Sequence, residues 1–263
     1  MERFFNRVGS SSAAVVRVRF KGVALPAGWS VHANTVLVFQ RGTADPSLAR
    51  SALFDFDGTL APRGARDGST PLTFPRDLMF PTVPSALQRL HDARYRLVIV
   101  TNEANIGRFK TPDVVRRAIE SKIARLTALL DHVGDELPLL VLVATAKDEY
   151  RKGEGEGLWR CVADLSKSSV PLDVAGSMMC GDAAGRPRDF SDSDRAFADA
   201  VGLPFFTPEQ LFGADATALD RLVVAESGCG CGGADGAAAK AEGGAPPDAA
   251  PAAKRQRVDA GKT

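Results

Sequence analysis

Long apolar runs are missing from this 263-residue chain: nowhere do eighteen apolar residues stand in a row, which argues against a membrane-spanning helix. An excess of either charge is missing too. Lys and Arg number 33 against 32 Asp and Glu, and up to Glu226 the count is 28 of each. A surface that coats nucleic acid by bulk positive charge is therefore excluded, leaving room for a local basic groove. Cysteine is scarce. Four Cys do not make a disulfide framework at this length. Cys161 and Cys180 sit among apolar residues as core thiols of a reducing compartment, and Cys229 and Cys231, with no His nearby, offer at most half a zinc site. The three histidines, His32, His91 and His132, stand apart from the motifs of this chain and read as surface or cap residues. No Gly-x-x-x-x-Gly-Lys-Ser/Thr occurs, and neither the Gly153, Gly155, Gly157 run nor any Gly-x-Gly-x-x-Gly follows a strand pattern, so a P-loop nucleotide site is not supported.

Composition divides the chain into an N-terminal extension (residues 1–28), a folded body (29–226) and a C-terminal tail (227–263). Arg3, Arg7, Arg17 and Arg19 among Ser, Ala and Val have the character of an organelle leader, but Glu2 and the strand-like alternation of Val15 to Phe20 oppose it. The tail is Gly, Ala and Pro with isolated charges, too poor in apolar residues to fold, so disorder is expected through Thr263. Its Lys254-Arg255-Gln256-Arg257 cluster fits a nuclear import signal, giving the nucleus as the expected location.

Within the body, apolar runs of strand length alternate with helical spacing. Strands are expected at Thr35–Gln40, Ser51–Phe54, Arg96–Val100, Leu137–Ala144, less regularly at Val174–Met179, and briefly at Phe205–Phe206. Helices are expected at Val83–His91, from the cap-like Thr111-Pro112-Asp113 through Leu126, at Leu158–Leu165 and at Asp192–Val201. Leu60 to Met79 holds three Pro and two Gly without periodicity and reads as a functional loop or flap. Strands apolar throughout, alternating with helices, predict an α/β fold: a Rossmann-like, mostly parallel sheet with helices on both faces. Ligands of such sheets bind beyond the carboxyl ends of the strands.

Three strand ends carry polar groups toward that edge: Asp55-Phe56-Asp57-Gly58-Thr59, Thr101-Asn102, and Gly181-Asp182. Turn chemistry explains one such end comfortably and three less well. Carboxylates crowded there need a cation, and Mg²⁺ favours hard oxygen ligands together with phosphate oxygens. Asp-x-Asp suits covalent phosphoryl transfer, one carboxylate attacking phosphorus while the other protonates the leaving oxygen and later activates water. Thr101, Asn102 and the Lys152 ammonium would offset charge on the equatorial oxygens.

Asp55-Phe-Asp-Gly-Thr-Leu60 resembles the first motif of the haloacid dehalogenase-like phosphatases. A narrower resemblance, to the phosphatase domain of polynucleotide kinase 3′-phosphatase, is carried by Leu97-Val-Ile-Val-Thr-Asn-Glu-Ala-Asn-Ile-Gly-Arg108, Tyr150-Arg-Lys152, and Gly181-Asp-Ala-Ala-Gly-Arg-Pro187. The run from Asp189-Phe-Ser through Asp194-Arg195 and Gly202-Leu-Pro-Phe-Phe-Thr-Pro-Glu209 belongs to it as well. The resemblance implies a haloacid dehalogenase-like fold without a large cap, and a Mg²⁺-dependent phosphomonoesterase acting on 3′-phosphate ends at DNA nicks, gaps or breaks in single-strand break repair. It implies Asp55 as nucleophile and metal ligand, Asp57 as acid and base that also reaches the metal through its carbonyl, and Asp182 as the remaining metal ligand. Thr101 and Lys152 would hold the phosphoryl group, supported by Asn102 and Arg151. Arg108, Lys110, Arg186, Arg188 and Arg195 are candidates for DNA-backbone contact.

Two departures stand out. Glu103 replaces the usual Gln, adding negative charge, and Gly153-Glu-Gly-Glu-Gly157 follows Lys152 where Pro is usual, so a looser lysine loop is expected. Too little chain precedes Val36 for a forkhead-associated domain, and without a P-loop no 5′-kinase activity is expected; a monomer without membrane contact is. The alternative enzyme is a sugar-phosphate or histidinol-phosphate phosphatase of the same superfamily. A non-catalytic scaffold is the third reading, opposed by the intact Asp55, Asp57, Lys152 and Asp182.

Overall fold

The structure, a computed structural model, describes residues 23–64, 71–214 and 217–224. The expectations for most of the N-terminal extension and for the tail, with Cys229, Cys231 and the Lys254–Arg257 cluster, lie outside the described residues. So does the centre of the 60–79 loop.

Seven strands make one sheet: β1 (Trp29–His32), β2 (Val36–Arg41), β3 (Arg50–Phe54), β4 (Tyr95–Asn102), β5 (Leu139–Ala144), β6 (Met178–Cys180) and β7 (Phe205–Phe206). The described helices are α1 (Val83–Asp92), α2 (Pro112–Val133), α3 (Gly157–Ser166), α4 (Ser193–Val201), α5 (Pro208–Phe212) and α6 (Ala218–Val224). A single 3₁₀ turn, Ile106–Arg108, follows β4. The strand order is β1-β2-β5-β4-β3-β6-β7. From β5 to β7 every pairing is parallel, as the apolar runs predict.

The first run behaves differently from expectation. β2 pairs antiparallel with β5, and β1 pairs antiparallel with β2. Ala33 and Asn34 both adopt positive φ, 48° and 67°, which reverses the chain tightly between β1 and β2. The pair therefore covers the edge of β5 rather than opening a strand–helix–strand unit. Val174–Met179 is also shorter than expected. The Gly176 N–H donates to the Asp173 carboxylate (2.9 Å) and the Ser177 hydroxyl to the Asp173 carbonyl, so a turn occupies 174–177 and pairing begins at Met178.

Alternation along the strands feeds two cores. Leu37, Phe54, Leu97, Ile99, Val141 and Met178 face α1, α2 and α5, and Leu53, Val98, Val100, Leu142 and Met179 face α3 and α4. Helix α1 presents Val83, Ala86, Leu87 and Leu90, spaced to form one apolar stripe. Val23 is buried and Leu25 packs on the first core, so ordered packing starts before Trp29. Parallel strands end together, so Asp55 after β3, Thr101 and Asn102 at the end of β4, and Asp182 after β6 reach the same edge.

Candidate active site

An open cavity of about 340 Å³ lies at that edge. Asp55, Asp57, Thr101, Asn102, Arg151, Lys152 and Asp182 all line it, so the structure gathers every strand-end and lysine-loop candidate. The Asp55 N–H donates to the Cys180 carbonyl (2.9 Å), extending the β3–β6 pairing by one residue and fixing where the carboxylate emerges. Lys152, 1% exposed, donates to Asp55 (2.5 Å), to Asp194 (2.8 Å) and to the Val100 carbonyl (2.9 Å). Its ammonium thus has three acceptors at the end of a four-carbon stem, which leaves it little freedom.

Asp194 was not anticipated as a site residue. It enters in the first turn of α4, and its Oδ2 accepts from the Ala183 N–H (3.0 Å). Gly181 makes room for it: a β-carbon there would fall 2.3 Å from that oxygen. Asp55, Asp182 and Asp194 offer one ligand atom each, all within 4.8 Å of one another. Three hard carboxylate donors at that spacing fit Mg²⁺. Asp57 lines the cavity outside this cluster, its carboxylate accepting from Lys122 and from Arg125 (2.7 Å). Glu103, whose added charge the sequence left unexplained, is neutralised by the same Lys122 at 2.6 Å.

Burial raises the pKa of Asp55 to about 7, with Lys152 opposing the rise and Asp194 adding to it. Burial likewise raises Asp182 against the pull of Arg63, which sits 2.6 Å away. For Lys152, burial disfavours the charge but Asp194 and Asp55 outweigh it, so the pKa rises. A carboxyl that holds its proton up to about pH 7 in the metal-free fold must release it when a cation binds. Apparent Mg²⁺ affinity should therefore climb about tenfold per pH unit below neutrality and level off above. Calorimetric titration from pH 5.5 to 8.5 checks this, and a flat affinity would refute the coupling.

The lysine loop is not loose at the lysine. The Asn102 side chain accepts from the Lys152 N–H (3.0 Å) and donates to the Lys152 carbonyl (3.3 Å), and Gly153 sits at φ 89°, where a side chain would be strained. The basic candidates divide. Arg108 lines the cavity, joined by Lys147 and Arg63, neither of which was singled out from the sequence. Arg186 is engaged by Asp189 (2.9 Å) and Glu209 (3.0 Å), and Arg195 donates to the Ala184 carbonyl and covers the Phe205 ring. Lys110, Arg188 and the three histidines do not line the cavity. At its mouth Phe190 is 84% exposed, with the Arg63 guanidinium 5.2 Å from its ring centre. The two core thiols expected from the sequence, Cys161 and Cys180, are indeed buried, and burial pushes both up, Cys161 to about 12. No helix among the described residues is long and apolar enough to cross a membrane.

Comparison with known proteins bears on residues 50–212, which match the family described as polynucleotide kinase 3 phosphatase. Polynucleotide 3′-phosphatase ZDP of Arabidopsis thaliana is 35% identical over 76% of this chain and 29% of its own length. The bifunctional polynucleotide phosphatase/kinase of Schizosaccharomyces pombe is 33% identical over 60% of this chain and 36% of its own. The chain thus spans about a third of these two relatives. An uncharacterised 20.8 kDa protein of Autographa californica nuclear polyhedrosis virus is 34% identical over 62% of this chain and 86% of its own. Among solved structures, a HAD-like phosphatase from Mesorhizobium loti superposes with a TM-score of 0.50 at 18% identity, covering 73% of this chain and 92% of its own, a likeness of fold.

Proposed function

Because the chain belongs to the polynucleotide kinase 3 phosphatase family, we propose that it removes the 3′-phosphate from DNA ends at nicks, gaps or breaks through an aspartyl-phosphate. The observation that carries this reading is Asp55 itself: a buried carboxylate at the end of β3, opening into the cavity beside Lys152 and Asp57. In the first step an Asp55 oxygen bonds to phosphorus as the bond from phosphorus to the 3′-oxygen breaks. That oxygen leaves with the proton of Asp57. In the second, Asp57 takes a proton from water, whose oxygen bonds to phosphorus and frees Asp55 and inorganic phosphate. Thr101 holds the equatorial oxygens, and the Lys152 ammonium, kept beside Asp55 by its three acceptors, offsets their charge. Asp55, Asp182 and Asp194 would hold Mg²⁺, which supplies positive charge against the phosphoryl oxygens.

Substrate choice is supported by the cavity and by the activity for which the plant and yeast relatives are named. The cavity opens at the sheet edge, and Arg108 and Lys147 line it without a carboxylate partner among the described residues. A chain end frayed by one nucleotide could enter such a cleft at little cost compared with flipping a base inside a duplex. The test is phosphate release, with Mg²⁺, from a nicked duplex carrying a 3′-phosphate, compared with a panel of sugar phosphates and histidinol phosphate. The expected kcat/KM on the nick exceeds that on any small ester by at least about 100-fold, the scale on which recognised polar contacts discriminate. Preference for a small ester would transfer the reading to a metabolite phosphatase, and inactivity on all would favour a scaffold.

A further inference from the structure

Two cations of α2 are buried without touching the carboxylate cluster. Lys122 and Arg125 are 5% and 3% exposed, on the same helix face as Ile119, Ile123 and Leu126. Such burial is costly unless paired, and both are paired with anions that line the cavity. Lys122 donates to Oδ2 of Asp57 and Arg125 to Oδ1, so each carboxylate oxygen has its own cationic donor. Arg125 also donates to the Pro62 carbonyl (2.7 Å), just past the Asp57–Ala61 bridge. Lys122 reaches across to Glu103 (2.6 Å), one residue beyond the end of β4. The Phe56 ring lies beneath both heads, 4.9 Å from Nζ of Lys122 and 5.7 Å from the Arg125 guanidinium carbon.

We infer that Lys122, with Arg125 beside it, is the positioning residue for Asp57, fixing the acid–base carboxylate against the leaving oxygen and tying the turn after β3 to the turn after β4. The inference rests on the proposed role of Asp57. A carboxylate on a turn has two free side-chain torsions, and proton transfer needs hydrogen-bond geometry with the leaving oxygen. Two donors on a well-packed helix remove that freedom. Neither donor lines the cavity, so neither serves the phosphoryl group directly.

The measurement is kcat/KM, with Mg²⁺, for aryl phosphates whose leaving groups range from 4-nitrophenol to phenol, because this ratio reports the step in which the ester bond breaks. A good leaving group needs little help from an acid and a poor one needs much. Lys122→Met is expected to cost about 10- to 100-fold on phenyl phosphate and on the 3′-phosphorylated nick, but less than about 3-fold on 4-nitrophenyl phosphate, given the usual worth of general acid catalysis. Lys122→Met combined with Glu103→Gln should stay as steep as Lys122→Met alone. Recovery in the double variant would mean that Lys122 only neutralises Glu103, and a uniform loss along the series would mean a structural role; either overturns the inference. Asp57→Asn is the reference. If Asp57→Asn shows no steepening, the acid role itself fails; if it does and Lys122→Met does not, the inference alone fails. Should Lys122→Met not fold, Lys122→Arg, whose planar head cannot reproduce both contacts, must steepen the series by at least about 3-fold, and a flat response would overturn the inference.

Discussion

Asp55→Asn is expected to yield a folded protein that turns over no phosphate ester, with kcat lowered on the order of 10⁴-fold or more, as loss of a nucleophile usually requires. The amide has the size of the carboxylate but cannot form the acyl phosphate. A second readout guards against mistaking misfolding for lost chemistry. Asp55 is a buried acid whose folded pKa, about 7, lies above its unfolded value. The native state therefore binds this proton more tightly than the unfolded chain. Stability from it is fully present below the unfolded pKa and is lost as pH rises toward 7. Asn, always neutral, escapes that loss. In chelator the variant should be more stable than the parent above pH 7, with the difference closing as pH falls toward 4. Urea unfolding at several pH values measures it. Near-normal turnover by Asp55→Asn would end the covalent mechanism, and equal stability at every pH would show that burial does not hold the proton on Asp55.

Lys152→Met carries the second largest effect and acts on both stability and rate. Asp55 and Asp194 lie on either side of the ammonium, and both are nearly inaccessible to water. Taking away the cation leaves two buried carboxylates facing each other, and breaking such a pair typically costs about 3–5 kcal/mol. In chelator at pH 8 the loss should approach that size. It should shrink as pH falls and Asp55 protonates, and Mg²⁺ should restore part of it by replacing one positive charge with another. Activity should drop by about 10²–10³ on every substrate alike, because a charge that meets the phosphoryl oxygens is indifferent to the leaving group. A stability unchanged in chelator would contradict the buried network. A loss confined to poor leaving groups would place Lys152 with Asp57 instead.

How far the sequence reveals these groups depends on how local the signal is. β3, β4 and β5 are legible because buried parallel strands are apolar along their whole length, and Asp55 and Thr101 are legible because a polar residue breaks off such a run. Asp182 follows the same rule less clearly, since three-residue β6 is preceded by a turn rather than a long strand. β1 goes unseen: Trp-Ser-Val-His alternates over only four residues, too few to separate from chance. Asp194 falls within the run that carries the family resemblance, but nothing local in the sequence shows its role. It stands where an acidic residue commonly opens a helix, and only the return of α4 beneath Gly181 turns a helix-start residue into a member of the cluster. Lys122 did leave a trace, a cation on the apolar stripe between Ile119 and Leu126, where spacing points inward without showing which anions it meets. Arg186 and Arg195 look available for DNA in the sequence because their internal acceptors, Glu209 and the Ala184 carbonyl, become neighbours only in the fold.

The paired hydrogen bonds between Asn102 and the Lys152 backbone bear on how this cleft can diverge. They pin the lysine from the β4 side, upstream of Gly153-Glu-Gly-Glu-Gly157, so the ammonium takes its position from the sheet and not from the length of the glycine-rich segment. Residues can then be inserted or deleted beyond Gly153 while the catalytic distance stays constant. The rim of the cleft is free to be remodelled between lineages, and the chemistry at its floor does not have to be re-solved each time.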